Sequence, residues 1–135
     1  MKEYIHKVQY YETDKMGITH HSNYIRWMEE ARVDFMADIG YDYAALEDMG
    51  IVSPVLSVSC DYKKATTFRD DISIKVTVKE YKGVKLHLEY EMKNASGEIV
   101  CLAMSSHAFL NREGRPIKMK KEYPELDGVL AELAG

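Results

Sequence analysis

The chain has 135 residues, 46% hydrophobic and 30% charged, enough apolar residues to build a core beneath a soluble surface. Its 18 Lys and Arg against 22 Asp and Glu give a net charge of −4, which argues against a general nucleic-acid binder and its strongly basic face. No stretch approaches the roughly 20 apolar residues of a membrane span, and the first residues lack a signal-peptide core, so one cytoplasmic domain over 1–135 is expected.

Along the chain, Tyr4 to Tyr11 alternates in polarity and reads as a strand. Glu12 to His21 is turn-like. Tyr24, Trp27, Met28, Ala31, Phe35 and Ile39 then recur at intervals of three and four, which predicts a helix over 23–39, about 25 Å long. Ser22 is its expected cap and Gly40 its end. A short helix follows within Tyr41 to Met49, and Val52 to Tyr62 reads as a strand. Ile72 to Lys79 and Val84 to Lys93 alternate strictly and are joined by a tight turn at Lys82 and Gly83. Asn94 to Gly97 turns the chain into a last strand, Glu98 to Leu110, apolar on both faces over Val100 to Met104 as a central strand should be. Pro124 to Leu133 completes the pattern with a short helix. Cys60 and Cys101 fall in separate strands and read as reduced, buried thiols. A strand, a long helix and four strands describe an α+β fold, an antiparallel sheet against one helix. A sheet curved around that helix fits the order, although periodicity alone does not select the topology.

The chemistry concentrates between Tyr10 and Tyr24, in the run YYETDKMGITHHSNY. A carboxylate, Asp14, lies in a loop between strand and helix. Gly17, three residues on, suits an unusual backbone conformation. The helix that follows starts with amides lacking internal partners, and these amides with the helix dipole can hold an oxyanion. A possible base or nucleophile beside an anion site is the minimum equipment for acyl transfer. Thioesters suit such a sparse site, because a thiol leaving group with a pKa of about 8.5 departs without a strong acid. A turn or cap residue is the commoner use of Asp, and both readings stand on chemistry alone.

The segment resembles the signature of the 4-hydroxybenzoyl-CoA thioesterase family, and within it the bacterial acyl-CoA thioesterases associated with the Tol–Pal system. The matching positions are Tyr10, Tyr11, Asp14, Gly17, His21, Asn23 and Tyr24, continued by Glu29 and Arg32 on the helix. Tyr62, Phe68 and Asp70, and the turn at Gly114, Arg115 and Pro116, extend the likeness over about residues 3–120. The resemblance implies a hotdog fold, a five-stranded antiparallel sheet wrapped around one long helix. It implies homodimers joined sheet edge to sheet edge, or homotetramers built from them, with the active site at the subunit interface. It implies hydrolysis of an acyl-CoA thioester without a cofactor, Asp14 acting as nucleophile or general base and the backbone N–H of His21 as oxyanion donor. Gly17, Asn23 and Tyr24 are carried over as substrate-binding positions. Met16, Ala65 and His20 depart from the family pattern, which bears on the acyl pocket more than on the chemistry.

The phosphates of coenzyme A call for cations, and Arg69 and Lys82, both in loops, are the first candidates. The side chain of His21 reads either as a group orienting Asp14 or water, or as a cap. His20 and His21 invite a metal reading, but neighbouring side chains point apart and no third His lies near. Glu29 and Arg32 read as a surface pair that could also meet a partner subunit. His6, His87 and His107 read as structural or solvated strand residues. A non-catalytic acyl-CoA or acyl-carrier-protein binding module on the same fold is the alternative, motivated by Met16 if it obstructs Asp14. A dehydratase is disfavoured, since no His-plus-acid pattern surrounds the helix.

Overall fold

The computed structural model describes residues 2–135. Five strands, β1 (Tyr4–Lys7), β2 (Val55–Tyr62), β3 (Asp71–Tyr81), β4 (Lys85–Lys93) and β5 (Ile99–Ala108), form one antiparallel sheet in the order β1-β3-β4-β5-β2. The long helix α1 (Ser22–Asp38) and the short α2 (Tyr43–Met49) come between β1 and β2. Two terminal helices, α3 (Met119–Glu122) and α4 (Pro124–Leu133), follow β5.

The helix forms where the stripe predicts it, and Tyr24, Trp27, Met28, Ala31 and Phe35 are all buried on one face. They meet Ile72, Ile74, Leu88, Tyr90 and Met92, the inward residues of the alternating strands, in one core that Leu126 and Leu130 of α4 complete. Pairings shift register between Val55 and Ser57, Val78 and Glu80, and Met92 and Lys93. Such irregularities bend strands and increase their twist, which is how the sheet curves over α1.

Several boundaries differ from expectation for local reasons. The first strand ends at Lys7, not Tyr11, because the Glu12 carboxylate accepts the Gln9 amide at 2.8 Å and winds Tyr10–Glu12 into a 3-10 turn. Ser22 is the first helical residue rather than the cap. His21 holds the cap position without a side-chain cap bond, and the Ser22 hydroxyl pairs with the His20 ring at 2.9 Å. Pro54 cannot donate to a ladder, so β2 starts at Val55 and Val52 makes only an isolated bridge to Leu110. Gly50 ends α2 in the left-handed conformation at φ 78°. Cys101 is buried, but Cys60 is only half-buried; both are free thiols. Among the described residues, no helix is long and apolar enough to cross a membrane.

Candidate active site

The segment between β1 and α1 folds back on itself. Thr13 bridges Thr19, the Asp14 N–H donates to the Ile18 carbonyl at 2.8 Å, and the His20 N–H donates to the Glu12 carbonyl at 2.8 Å. Asp14 therefore stands at the tip of a miniature hairpin, half-buried, with Gly17 closing the turn at φ 80°. A side chain at residue 17 would be strained at that angle, so the glycine expected from the sequence has a backbone reason. One Asp14 oxygen, Oδ1, accepts the Met16 amide at 2.8 Å. Among the described residues, Oδ2 accepts no hydrogen bond. The turn role and the free carboxylate oxygen thus coexist in one residue. Met16 itself is 77% exposed, so its side chain points away from the loop's packed side.

Three ties fasten the hairpin. Thr67 Oγ1 donates to the Gly17 carbonyl at 2.7 Å, and Ile18 bridges Thr67. Thr66 donates to the Thr19 hydroxyl at 2.6 Å and pairs with the Tyr24 hydroxyl at 2.9 Å. Asn23, buried, donates from Nδ2 to the carbonyls of Glu12 and His20 at 3.0 and 3.1 Å. Asn23 Nδ2 and the Tyr24 hydroxyl, at two positions expected to touch substrate, hold the loop within the chain.

Beneath the hairpin lies a network absent from the sequence reading. The Glu12 carboxylate, 4% exposed, accepts Trp27 Nε1 at 2.8 Å and meets His6 Nε2 at 2.8 Å, besides the Gln9 amide. The His6 Nδ1 lies 3.1 Å from Glu30, which also accepts the Tyr4 hydroxyl at 2.7 Å. Burial pushes the Glu12 pKa up, but the Gln9 amide, His6 and Trp27 outweigh it and hold the carboxyl below its ordinary value. Burial beside Glu30 likewise lifts the Tyr4 hydroxyl to about 12. The sequence signal for this network was available: an acidic residue two before Asp14 in a strand-to-turn segment, with Trp27 on the buried helix stripe.

At the start of α1, the His21 ring stacks on His20 at 4.3 Å and meets the edge of Tyr62 at 6.2 Å. The Tyr62 hydroxyl donates to the His21 carbonyl at 3.2 Å. The His20 N–H is used by Glu12, the Ser22 N–H leans on the His20 ring, and the Asn23 N–H returns to the His20 carbonyl. Among the described residues, the His21 N–H meets no acceptor, at the positive end of a 17-residue helix.

The two expected cations separate. Arg69 precedes β3, and its N–H donates to the Val8 carbonyl at 3.0 Å, which keeps it beside the hairpin. Its φ of 75° is left-handed without being glycine, and its guanidinium lies 5.3 Å from the Phe68 ring centre. Non-glycine residues hold that conformation only where their surroundings impose it, often near functional sites. Lys82 lies past the far end of β3, roughly 30 Å away at the rise of an extended strand. Within one chain it therefore does not stand beside the hairpin; its neighbour is Glu80, at 3.8 Å. Glu29 and Arg32 form the expected pair on α1.

Residues 8–132 match the thioesterase-like superfamily. The chain belongs to that family. It is 35% identical over 120 residues, 88% of this chain and 87% of the relative, to "Putative acyl-CoA thioesterase YneP" of Bacillus subtilis. A "Putative esterase" of Aquifex aeolicus is 32% identical over 91% of this chain and 94% of its own length. Among solved structures, a DHNA-CoA thioesterase from Staphylococcus aureus superimposes with a TM-score of 0.91 at 29% identity, covering 97% of this chain and 89% of that one. The sheet curved over one long helix is accordingly the hotdog fold, and membership places this chain among the thioester hydrolases of the superfamily.

Proposed function

We propose that the chain is an acyl-CoA thioesterase releasing a free acid and coenzyme A, with Asp14 as nucleophile or general base and the His21 backbone N–H as oxyanion donor. The reading rests on one feature above all: the unused Asp14 oxygen lies in the fastened hairpin and the unused His21 N–H at the start of α1 immediately after it. Asp14 pairs with Ile18 across the hairpin, and His21 lies three residues further, within about 10 Å even for a fully extended chain. A carboxylate reach of about 3 Å and two near-contacts of about 3 Å either side of a carbonyl group are of that scale. Either the Asp14 oxygen attacks the thioester carbon and the mixed anhydride is then hydrolysed, or Asp14 takes a proton from the water that attacks. In both, the electron pair goes to the carbonyl oxygen facing the His21 N–H and then expels the thiolate of coenzyme A.

The substrate class is carried over from the acyl-CoA and DHNA-CoA thioesterases named above. Arg69 is the cation suited to the coenzyme A phosphates, since it alone of the two candidates lies by the hairpin. The edge strand β2 leaves Val55, Leu56 and Val58 between 39% and 50% exposed, which supports pairing of two sheets along that edge in a homodimer or homotetramer. The exposure of Met16 supports the catalytic reading over a non-catalytic binding module.

The test is Asp14→Asn, assayed by thiol release from a panel of aliphatic and aromatic acyl-CoAs. The expected result is a 10²- to 10⁴-fold fall in kcat with an unchanged circular dichroism spectrum. Wild-type turnover by the purified variant would falsify the assignment. Single turnover in ¹⁸O-water separates the two roles, since label enters the Asp14 carboxylate only if it is the nucleophile.

A further inference from the structure

Resting on that thioesterase reading, the network beneath the hairpin points to a residue that holds the site in register. His6 lies on β1 with 11% of its side chain exposed, between two acidic side chains. Its Nε2 is 2.8 Å from Oε1 of Glu12 on the 3-10 turn, and its Nδ1 is 3.1 Å from Oε1 of Glu30 on α1. Both oxygens already serve as acceptors. Glu12 Oε1 receives the Gln9 N–H at 2.8 Å, and Glu30 Oε1 receives the Tyr4 hydroxyl at 2.7 Å. An imidazole with one proton would turn a ring lone pair toward one of these oxygens, whereas the imidazolium donates to both.

Two further observations suit a charged ring. Glu12 is 4% exposed, and against that burial the Gln9 amide, His6 and Trp27 hold its pKa below the ordinary value, so it is a carboxylate at pH 7. A buried charge needs an opposite one, and among the described residues His6 is the only basic side chain in ion-pair range of Glu12. The ring also lies against the Trp27 indole, centroids 4.7 Å apart, and an indole face attracts a cation within about 6 Å. The other surroundings add little positive charge. Ile72 stands opposite His6 on β3, and the groove outside Tyr4 and Glu30 sets one cation, Arg26, against Glu29 and Asp34.

Glu12 joins this ring to the chemistry. Its carbonyl receives the His20 N–H at 2.8 Å and Asn23 Nδ2 at 3.0 Å, either side of the free His21 N–H in sequence, and Asp14 follows two residues after it. A shift of Glu12 therefore moves both ends of the proposed site, and a misplacement of about 1 Å can cost on the order of 10² in rate.

We propose that His6 is a positioning residue: as the imidazolium it clamps Glu12 to Glu30, and through Glu12 it sets the spacing between Asp14 and the His21 N–H. Loss of its second ring proton slows the chemical step without weakening substrate binding.

The experiment follows the histidine ring nitrogens and the backbone amides of the full chain by ¹⁵N NMR between pH 5.5 and 9.5, beside kcat and KM for benzoyl-CoA and octanoyl-CoA. At pH 7 both His6 nitrogens should carry protons. Where one leaves on raising the pH, the Gly17 and His20 amides should shift with the same midpoint and kcat should fall about tenfold, KM staying within about twofold. His6→Gln, which keeps one N–H donor but cannot charge, should lower kcat at pH 7 about tenfold and lack the alkaline step; His6→Phe should lose more. A wild-type ring with a single proton at pH 7 overturns the proposal, whether or not the variants fold. So does a ring titration that leaves both amides unmoved, or wild-type kcat in folded His6→Gln. If the ring keeps both protons to pH 9.5, that last comparison decides. If no thioester turns over, the thioesterase reading fails separately, and the NMR decides this one.

Discussion

Replacing Glu12 by Gln should destabilise the fold more than any surface change, and the effect should depend on pH. The carboxylate accepts three donors at 2.8 Å, from Gln9, His6 and Trp27, while 4% exposed. Bonds to a charged acceptor contribute about 1.5 to 3 kcal/mol each, and a buried donor left unpaired costs about 1 to 3 kcal/mol. Gln keeps one acceptor oxygen but turns an NH₂ toward a donor that formerly met Oε1 or Oε2. A net loss of about 3 kcal/mol follows, or roughly 10 °C in Tm for a chain of this size. Urea unfolding followed by circular dichroism measures it. The Glu12 pKa is held below 4.5 in the folded state, so its stabilisation is fully present above that pH and fades as the folded value is approached from above. The gap between wild type and Glu12→Gln should therefore be widest at pH 7 and shrink below about pH 4.5, the unfolded value. A loss under about 0.5 kcal/mol at pH 7, or a gap that widens on acidification, would refute this account of the network.

Arg69→Asn should raise stability by about 0.5 to 1 kcal/mol, because Asn tolerates the left-handed backbone better than Arg. The same variant should raise KM for acyl-CoAs several-fold; a destabilised protein in urea titration would contradict the strain. Asn23→Ala should cost about 1 to 2 kcal/mol and lower kcat, since it unfastens the hairpin from α1; unchanged kcat in a steady-state assay would show that the tie is dispensable. Tyr24→Phe should cost about 1 kcal/mol through the lost bond to Thr66 and leave KM unaltered, whereas a substrate-contacting Tyr24 would raise KM.

The long helix, the alternating β3 and β4 and the tight turn between them were legible because local periodicity and burial agree there. Val84 to Lys93 alternates without exception, and Leu86, Leu88, Tyr90 and Met92 are all buried. Boundaries failed where a distant or unexpected side chain decides the backbone: Glu12 ends β1 early through its own carboxylate. For Asp14, Gly17 and His21, loop chemistry and the family pattern coincide in one stretch, and the structure places the three in the hairpin and at the helix start that follows it. Lys82 could not be placed, since two loops look alike in sequence while the length of β3 puts them at opposite ends of the sheet. The buried hydrogen-bonded chain of Tyr90, Ser105 and His107 was illegible for another reason. Ser105 and His107 share a face by spacing, but only the register of β4 against β5 brings Tyr90 to them, pairing it with Ala103 and Leu88 with Ser105.

The pairing of polar groups supports the proposed role of the hairpin better than the presence of Asp14 does. A loop that only needed to turn would use its carboxylate as an Asx acceptor, and Asp14 Oδ1 does so with Met16. Around it, Thr19, Thr66, Thr67, Tyr24, Asn23 and Glu12 all close hydrogen bonds inside the chain. Polar groups so consistently paired hold the loop in one shape, which is what a site stabilising developing charge requires, because donors that must reorganise lose their advantage. Against that background one oxygen of Asp14 and the N–H of His21 have no partner among the described residues, and the two are of opposite polarity. Complementary vacancies on a rigid loop are what an acyl carbonyl needs: an electron donor toward its carbon and a hydrogen-bond donor toward its oxygen.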